Sequence, residues 1–174
     1  MVRVISGLYK GRIIQSKQTH NLRPTQDRVK ETLFAMLGNI VGLTVVDLFA
    51  GTGNLGLEAL SRGAEFCTFV EKDARHLQLI RNNVESLGVI ERVEIVRGDV
   101  LHFMKQAPRA DVYFADPPYR FPRIDDLLQN VLKLSKETLF VLETWKDFSV
   151  SAEISDRISG TRIIGETKLT FIRI

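Results

Sequence analysis

Thr44-Val45-Val46-Asp47-Leu48-Phe49-Ala50-Gly51-Thr52-Gly53-Asn54-Leu55-Gly56 is the stretch that decides how this chain folds. An apolar run broken by a single acid passes into a glycine-rich turn and then into residues that can open a helix. A run of that kind is a strand buried on both faces, and the glycines let it turn directly into a helix. The same alternation continues downstream. Residues 66–70 (Phe-Cys-Thr-Phe-Val) form a second buried strand. Asp73 is placed to cap a helix on which Leu77, Ile80, Val84 and Leu87 share one face, and Gly88 ends it. Residues 93–96, 112–115 and 139–142 supply three further strands, with a helix expected over residues 124–134. Upstream, residues 2–6 and 12–15 flank a glycine-bounded turn as a hairpin, and Thr25 is expected to cap a helix running to Leu37. Downstream, residues 162–164 and 169–174 read as a closing hairpin.

Buried strands alternating with amphipathic helices predict an α/β fold: a mostly parallel, Rossmann-like sheet covered by helices on both faces, with a C-terminal antiparallel hairpin and a small N-terminal β-hairpin. Residues 1–22 form a basic hairpin appendage in this reading, and residues 23–174 the main domain. The composition agrees with a soluble globular chain: 174 residues, 44% hydrophobic and 26% charged, with one cysteine, Cys67. No apolar run is long enough for a transmembrane helix, and the N-terminus lacks a signal peptide's apolar core, so no membrane partner is expected. A single cysteine cannot form an internal bridge, which suits a reducing cytoplasm, and a monomer is expected. His20, His76 and His102 lack metal-ligand spacing, so no metal is expected. Of the net charge of +3, the first 37 residues carry +5, from seven basic against two acidic residues, which leaves −2 on the rest. A basic head on a mildly acidic body suits a polyanionic partner.

In parallel sheets of this kind, ligands bind beyond the carboxyl ends of the strands. Four consecutive strands here each end in an acid: Asp47 before the glycine turn, Glu71, Asp99, and Asp116 in Asp116-Pro117-Pro118-Tyr119. The turn itself, Gly51-Thr52-Gly53-Asn54-Leu55-Gly56, matches the G-x-G-x-x-G dinucleotide fingerprint, and Glu71 follows Gly51 by 20 residues, where a ribose-binding acid would stand. A nicotinamide- or flavin-dependent oxidoreductase is therefore a real alternative. Asp47 argues against it, because a carboxylate at the lip of the turn repels a pyrophosphate. It suits a cationic ligand such as S-adenosylmethionine, which has an ammonium, a sulfonium and a ribose but no phosphate. In Asp116-Pro117-Pro118-Tyr119 the prolines lack N–H groups, so the turn offers acceptors to a ligand with two N–H donors, as an exocyclic base amine has. Tyr119 adds a flat face for a base. Trp145, two residues after Glu143, reads mainly as packing at the sheet edge and secondarily as a lining of the RNA surface.

With the Gly7-Leu8-Tyr9-Lys10-Gly11-Arg12 and Arg23-Pro24-Thr25 segments added, the chain resembles the RsmD family of bacterial 16S rRNA guanine-N2 methyltransferases, over nearly its whole length. The resemblance implies a class I methyltransferase fold. It also implies transfer of a methyl group from S-adenosylmethionine to the N2 amine of a guanine in small-subunit ribosomal RNA, within an assembling subunit. Asp47, Gly51 and Gly53 would hold the methionine part of the cofactor, Glu71 its ribose, and Asp99 with Val100 its adenine. Asp116, Pro117, Pro118 and Tyr119 would hold the target amine, and Arg3, Lys10, Arg12, Lys17, Arg23 and Arg28 would meet RNA phosphates, with the segment up to Lys30 approaching the same backbone. A DNA adenine or cytosine amino-methyltransferase is the nearest alternative, though the chain has no insert large enough for sequence-selective DNA reading. A silent RNA-binding module would have no need of the four acids.

Overall fold

The structure, a computed structural model, describes residues 2–16 and 24–174. The expectations placed on Lys17 and Arg23 lie outside the described residues. A two-stranded antiparallel ribbon, β1 (Val2–Arg3) and β2 (Ile13–Ile14), precedes helix α1 (Pro24–Leu37). That helix starts at Pro24, one residue ahead of the expected cap. Proline suits a first helical position, where its missing N–H would have had no helical partner. There follow β3 (Thr44–Leu48), α2 (Asn54–Ser61), β4 (Phe66–Glu71), α3 (Ala74–Leu87), β5 (Val93–Arg97), α4 (Val100–Met104), β6 (Val112–Ala115), α5 (Ile124–Val131), β7 (Leu139–Trp145), α6 (Ala152–Ser155), β8 (Ile158–Ile164) and β9 (Thr167–Arg173).

Seven of these strands form one sheet in the order β5-β4-β3-β6-β7-β9-β8, parallel from β5 to β7 and antiparallel for the last two. Alternation along each strand divides the core in two. Val45, Cys67, Phe69, Val112, Phe114 and Val141 pack with α1, α2 and α3 on one face. Val46, Leu48, Val70, Tyr113, Ala115, Phe140 and Leu142 pack with α4, α5 and α6 on the other. Asp73 caps α3 as its position implied, accepting the Arg75 and His76 N–H groups, and Gly88 closes the helix at φ 68°. Leu77, Ile80, Val84 and Leu87 are its buried face, each contributing about 1.5–3 kcal/mol by leaving water. β7 runs three residues beyond the predicted strand end, which carries Glu143 and Trp145 into the sheet.

The N-terminal ribbon shares the first of these cores through Val4 and Ile14. Its turn docks on the carboxyl end of α2. Ile5 and Ser6 donate their N–H groups to the two oxygens of buried Glu58, at 2.7 and 3.0 Å, and Leu8 N–H meets the Ser61 carbonyl at 2.7 Å. Leu8 thus satisfies one of the carbonyls that a helix end leaves without a partner. Gly7 and Gly11 both hold φ +84°, but a Cβ on Gly7 would fall 1.9 Å from the Ser61 carbonyl oxygen, whereas one on Gly11 would meet nothing within 4 Å. Gly11→Ala is therefore expected to cost only the left-handed strain, about 1–2 kcal/mol. Gly7→Ala should cost at least about 2 kcal/mol more, because backbone must move. Urea unfolding midpoints at unchanged m-values check the difference, and equal losses would show that the docking is loose.

Candidate active site

The chain builds outward from β3 through β4 and β5 on one side, then returns to lay β6 and β7 on the other. The switch point lies between β3 and β6, and in open parallel sheets the ligand crevice opens there. Register places Asp47 opposite Phe114 and Leu48 opposite Ala115, so the glycine turn and Asp116 leave the sheet side by side.

Buried Asp47 accepts the Gly56 N–H at 2.9 Å, tying the strand to the first turn of α2. Gly53 N–H donates to the Ala50 carbonyl at 2.7 Å, and Gly51 N–H to Glu71 Oε2 at 2.9 Å. A pyrophosphate would need donors of this kind. All three glycine N–H groups are already bonded within the protein, so the fingerprint does not make a dinucleotide cradle here. At Gly56 the reason for glycine is contact: a Cβ would lie 2.3 Å from the Phe69 ring and 2.5 Å from Cys67 Sγ. Between strand and turn, Phe49 holds φ 58°, a left-handed conformation costing on the order of 1–3 kcal/mol in a side chain of that size. Its ring packs edge-on against Phe121, centroids 5.1 Å apart, linking the glycine turn to the loop after Asp116.

Glu71 has a fuller structural duty than a ribose ligand needs. Besides Gly51, its carboxylate accepts the Lys72 and Asp73 N–H groups at 2.8 and 2.9 Å, which occupies three of its four lone pairs. Asp99 caps α4 through the Leu101 and His102 N–H groups, and Val100 is buried beneath it.

Two cavities open at the switch point. The first, of about 370 Å³, is walled by Asp47, Ala50, Thr52, Asn54 and Leu55 from the glycine turn, by Val29 and Lys30 of α1, by His76, by Val2 and Ser16 of the N-terminal segment, and by Asp116 and Glu143. Of the cofactor residues read from sequence, it brings in Asp47; Gly51, Gly53, Glu71, Asp99 and Val100 stand outside its wall. The second, of about 230 Å³, has Asp116, Pro117, Pro118 and Tyr119 on one side and Glu143, Thr144 and Trp145 on the other. The Tyr119 and Trp145 rings lie 5.7 Å apart at 48°, and Tyr119 is largely exposed. Asp116 and Glu143 belong to both cavities. Sequence reasoning passed over Glu143, which carries no motif, and gave Trp145 mainly to packing; its place in the β7 register beside Asp116 was the available signal.

The walls are electrostatically uneven. Burial pushes the Asp47 carboxyl up to about 8 against the pull of the Gly56 hydrogen bond, and the charges of Asp116 and Glu71 add to the rise. Asp116 is open to the cavities but enclosed by protein elsewhere, and this poor solvation raises its pKa. Glu143 is raised by burial first and by the charge of Asp116 second. Three reluctant carboxyls around one cavity favour a cationic occupant. Lys30 does not fill that need. Its ammonium is buried, donates to the Arg3 carbonyl and Asn54 Oδ1 at 2.7 Å each, and pairs with Glu58 at 3.3 Å. Burial lowers its pKa, with Glu58 opposing. This corrects the sequence reading, which counted Lys30 among the residues approaching phosphate. Arg3, Lys10, Arg12 and Arg28 are exposed; Arg3 lies 3.8 Å from Asp27, and Arg12 donates to the Ser86 carbonyl at 2.8 Å. Among the described residues there is no cluster of three or more metal-ligating side chains, and no helix is long and apolar enough to cross a membrane.

A sheet in this strand order, with a glycine turn at the switch point and a closing antiparallel pair, is the fold of class I methyltransferases. The chain belongs to the family described as Conserved hypothetical protein 95, whose model matches residues 2–173. It is 38% identical over 154 residues to ribosomal RNA small subunit methyltransferase D of Haemophilus influenzae, covering 84% of this chain and 80% of that one. The solved structure of the Escherichia coli protein yhhF is 31% identical with a TM-score of 0.85, over 99% of this chain and 97% of that one. SMU.776, solved in complex with SAH, shares the fold at 19% identity and a TM-score of 0.71, covering 88% of this chain and 50% of that one.

The raised Asp47 carboxyl makes a stability prediction. Its folded pKa of about 8 lies above an unfolded value of about 3.9, so the folded state holds the extra proton between them. The stability this contributes is full below about pH 4 and is lost as pH rises toward 8. In the ligand-free protein, Asp47→Asn should therefore shrink the fall in Tm between pH 5 and 8, and thermal melts across that range check it. An unchanged pH slope would show that Asp47 is ionised throughout.

Proposed function

We propose that this chain is an S-adenosylmethionine-dependent methyltransferase that modifies the N2 amine of a guanine in small-subunit ribosomal RNA. The observation that carries the reading is the pair of adjoining cavities: one walled by carboxyls and suited to a cation, the other by a proline turn and two aromatic rings, meeting at Asp116. S-adenosylmethionine supplies an electrophilic methyl group on a sulfonium, and the residues present fit it. Asp47 would hold its cationic part, Glu71 has one lone pair left for the ribose, and Asp99 and Val100 stand at the end of the next strand for the adenine. The name of the Haemophilus relative and the SAH held by SMU.776 support the same reading.

The remaining chemistry belongs to the chain. An exocyclic amine is a weak nucleophile because its lone pair is delocalised into the ring. Accepting its two N–H bonds at the Asp116 carboxylate and the Pro117 carbonyl concentrates the lone pair on nitrogen and aims it toward the first cavity. When the N–C bond forms, the amine must shed a proton, and a carboxylate whose pKa is raised is suited to receive it. Tyr119 and Trp145 give the extruded base faces to lie against. We take the monomer as the acting unit. A lone, buried Cys67 is consistent with cytoplasmic work on an assembling subunit, where the target base is still open. We assign phosphate contact to Arg3, Lys10, Arg12 and Arg28, and treat residues 1–22 as the RNA-facing appendage of the 23–174 domain.

Mass mapping of small-subunit RNA treated with the protein is expected to show one N2-methylguanine, and its absence overturns the reading. Calorimetry should show binding of S-adenosylmethionine and none of NAD. At saturating cofactor, Asp116→Ala should lower single-turnover methylation by about 100-fold or more, and Asp116→Asn should fall between it and the native enzyme. Replacing Lys10 and Arg12 with Gln should flatten the salt dependence of RNA binding by roughly one unit of slope for each phosphate left unneutralised.

A further inference from the structure

Glu143 has no part in the reaction as described, yet it stands at its centre. β6 and β7 are parallel with Ala115 opposite Leu142, so Asp116, the first residue past β6, and Glu143, the next residue of β7, follow side by side at the carboxyl end of β6. Both line the cavity that would take the base. Two carboxyls side by side form a pair of acceptors, and that pairing discriminates among the bases. Guanine alone of the amino-bearing bases offers two donors in neighbouring positions on its Watson–Crick edge, the N2 amine and N1–H. Adenine and cytosine set their amine beside an acceptor nitrogen, which a second carboxylate would repel.

We infer that Glu143 is the residue that selects guanine, its carboxylate accepting N1–H while Asp116 and the Pro117 carbonyl accept the N2 amine. The inference rests on the reading that this cavity takes the base to be methylated, and it makes Glu143 a specificity residue as well as a neighbour of the reaction. Binding of a cation in the adjoining cavity favours the ionised form of both carboxyls, so the acceptor pair is assembled as the first ligand arrives.

The test is an atom exchange. Once the modified position is mapped, small-subunit RNA is assembled by ligation with guanine or with 2-aminopurine at that position. 2-Aminopurine keeps the 2-amine but presents an acceptor at N1. Native protein should prefer guanine in kcat/KM by at least about 10-fold. Glu143→Gln can donate to that N1, so it should reduce the preference by at least about 10-fold, partly through a gain on 2-aminopurine. Glu143→Ala should reduce it through loss on guanine alone. The missing O6 affects every arm equally and cancels in the ratio of ratios. Circular dichroism and the urea midpoint of each variant report that it is folded, and saturating S-adenosylmethionine in every arm keeps any change in cofactor affinity out of the ratio. If native protein methylates guanine N2 and Glu143→Gln leaves the preference unchanged, the assignment to Glu143 is wrong and the proposed function stands. If native protein does not methylate guanine N2 at all, the functional reading falls and takes this one with it.

Discussion

The bond from Gly56 N–H to the buried Asp47 carboxylate, 2.9 Å long, is the constraint around which the site is arranged. A carboxylate taken out of water demands a donor, and the one it finds lies nine residues on, inside the first turn of α2. That fixes where the helix begins relative to the strand. It also requires glycine at position 56, since the helix can come this close to Phe69 and Cys67 only without a side chain. Together with the bonds from Gly51 to Glu71 and from Gly53 to Ala50, it turns the N–H groups of the turn toward protein acceptors and leaves carboxyls to face a ligand.

The second determinant is topological. Because the chain reverses its direction of sheet growth between β3 and β6, two acids separated by 69 residues of sequence emerge beside one another, and β7 adds a third. Poor solvation raises all three pKa values, and the charge of Asp116 adds to the rise at Asp47 and Glu143. A cation in the cavity would favour their ionised forms. The left-handed Phe49, braced against Phe121, adds local strain between β3 and the glycine turn.

Much of this was legible in the sequence because it depends on local rules. Strand runs, the Asp73 cap and the Gly88 stop involve residues within a few positions of one another, and the strand-end acids follow from the rule that parallel sheets present their carboxyl ends to ligands. What escaped depends on distant partners. Lys30 reads as a surface cation on an amphipathic helix, and only Glu58, Asn54 and the Arg3 carbonyl, brought together by the fold, make it a buried one. Glu143 sits in a strand with no motif to mark it, and its significance comes wholly from register with β6. Glu71 and Asp99 were proposed as ligand residues from position, and their hydrogen bonds to backbone N–H groups could not be foreseen from spacing alone.

The way Glu58 is used bears on how such a protein can be recombined. Its two oxygens hold the backbone of Ile5 and Ser6, one of them also meets Lys30, and Lys30 in turn grips Arg3 and Asn54. The N-terminal ribbon is therefore no cassette that could be exchanged among related scaffolds by cutting at a linker. Grafted onto a sheet lacking the Lys30–Glu58 pair, it would lose its anchor; deleted from this one, it would take two N–H donors from Glu58 and the Arg3 carbonyl from Lys30. Variation in what the head recognises would have to arise on its exposed side chains, one residue at a time, while its backbone stays committed to the body.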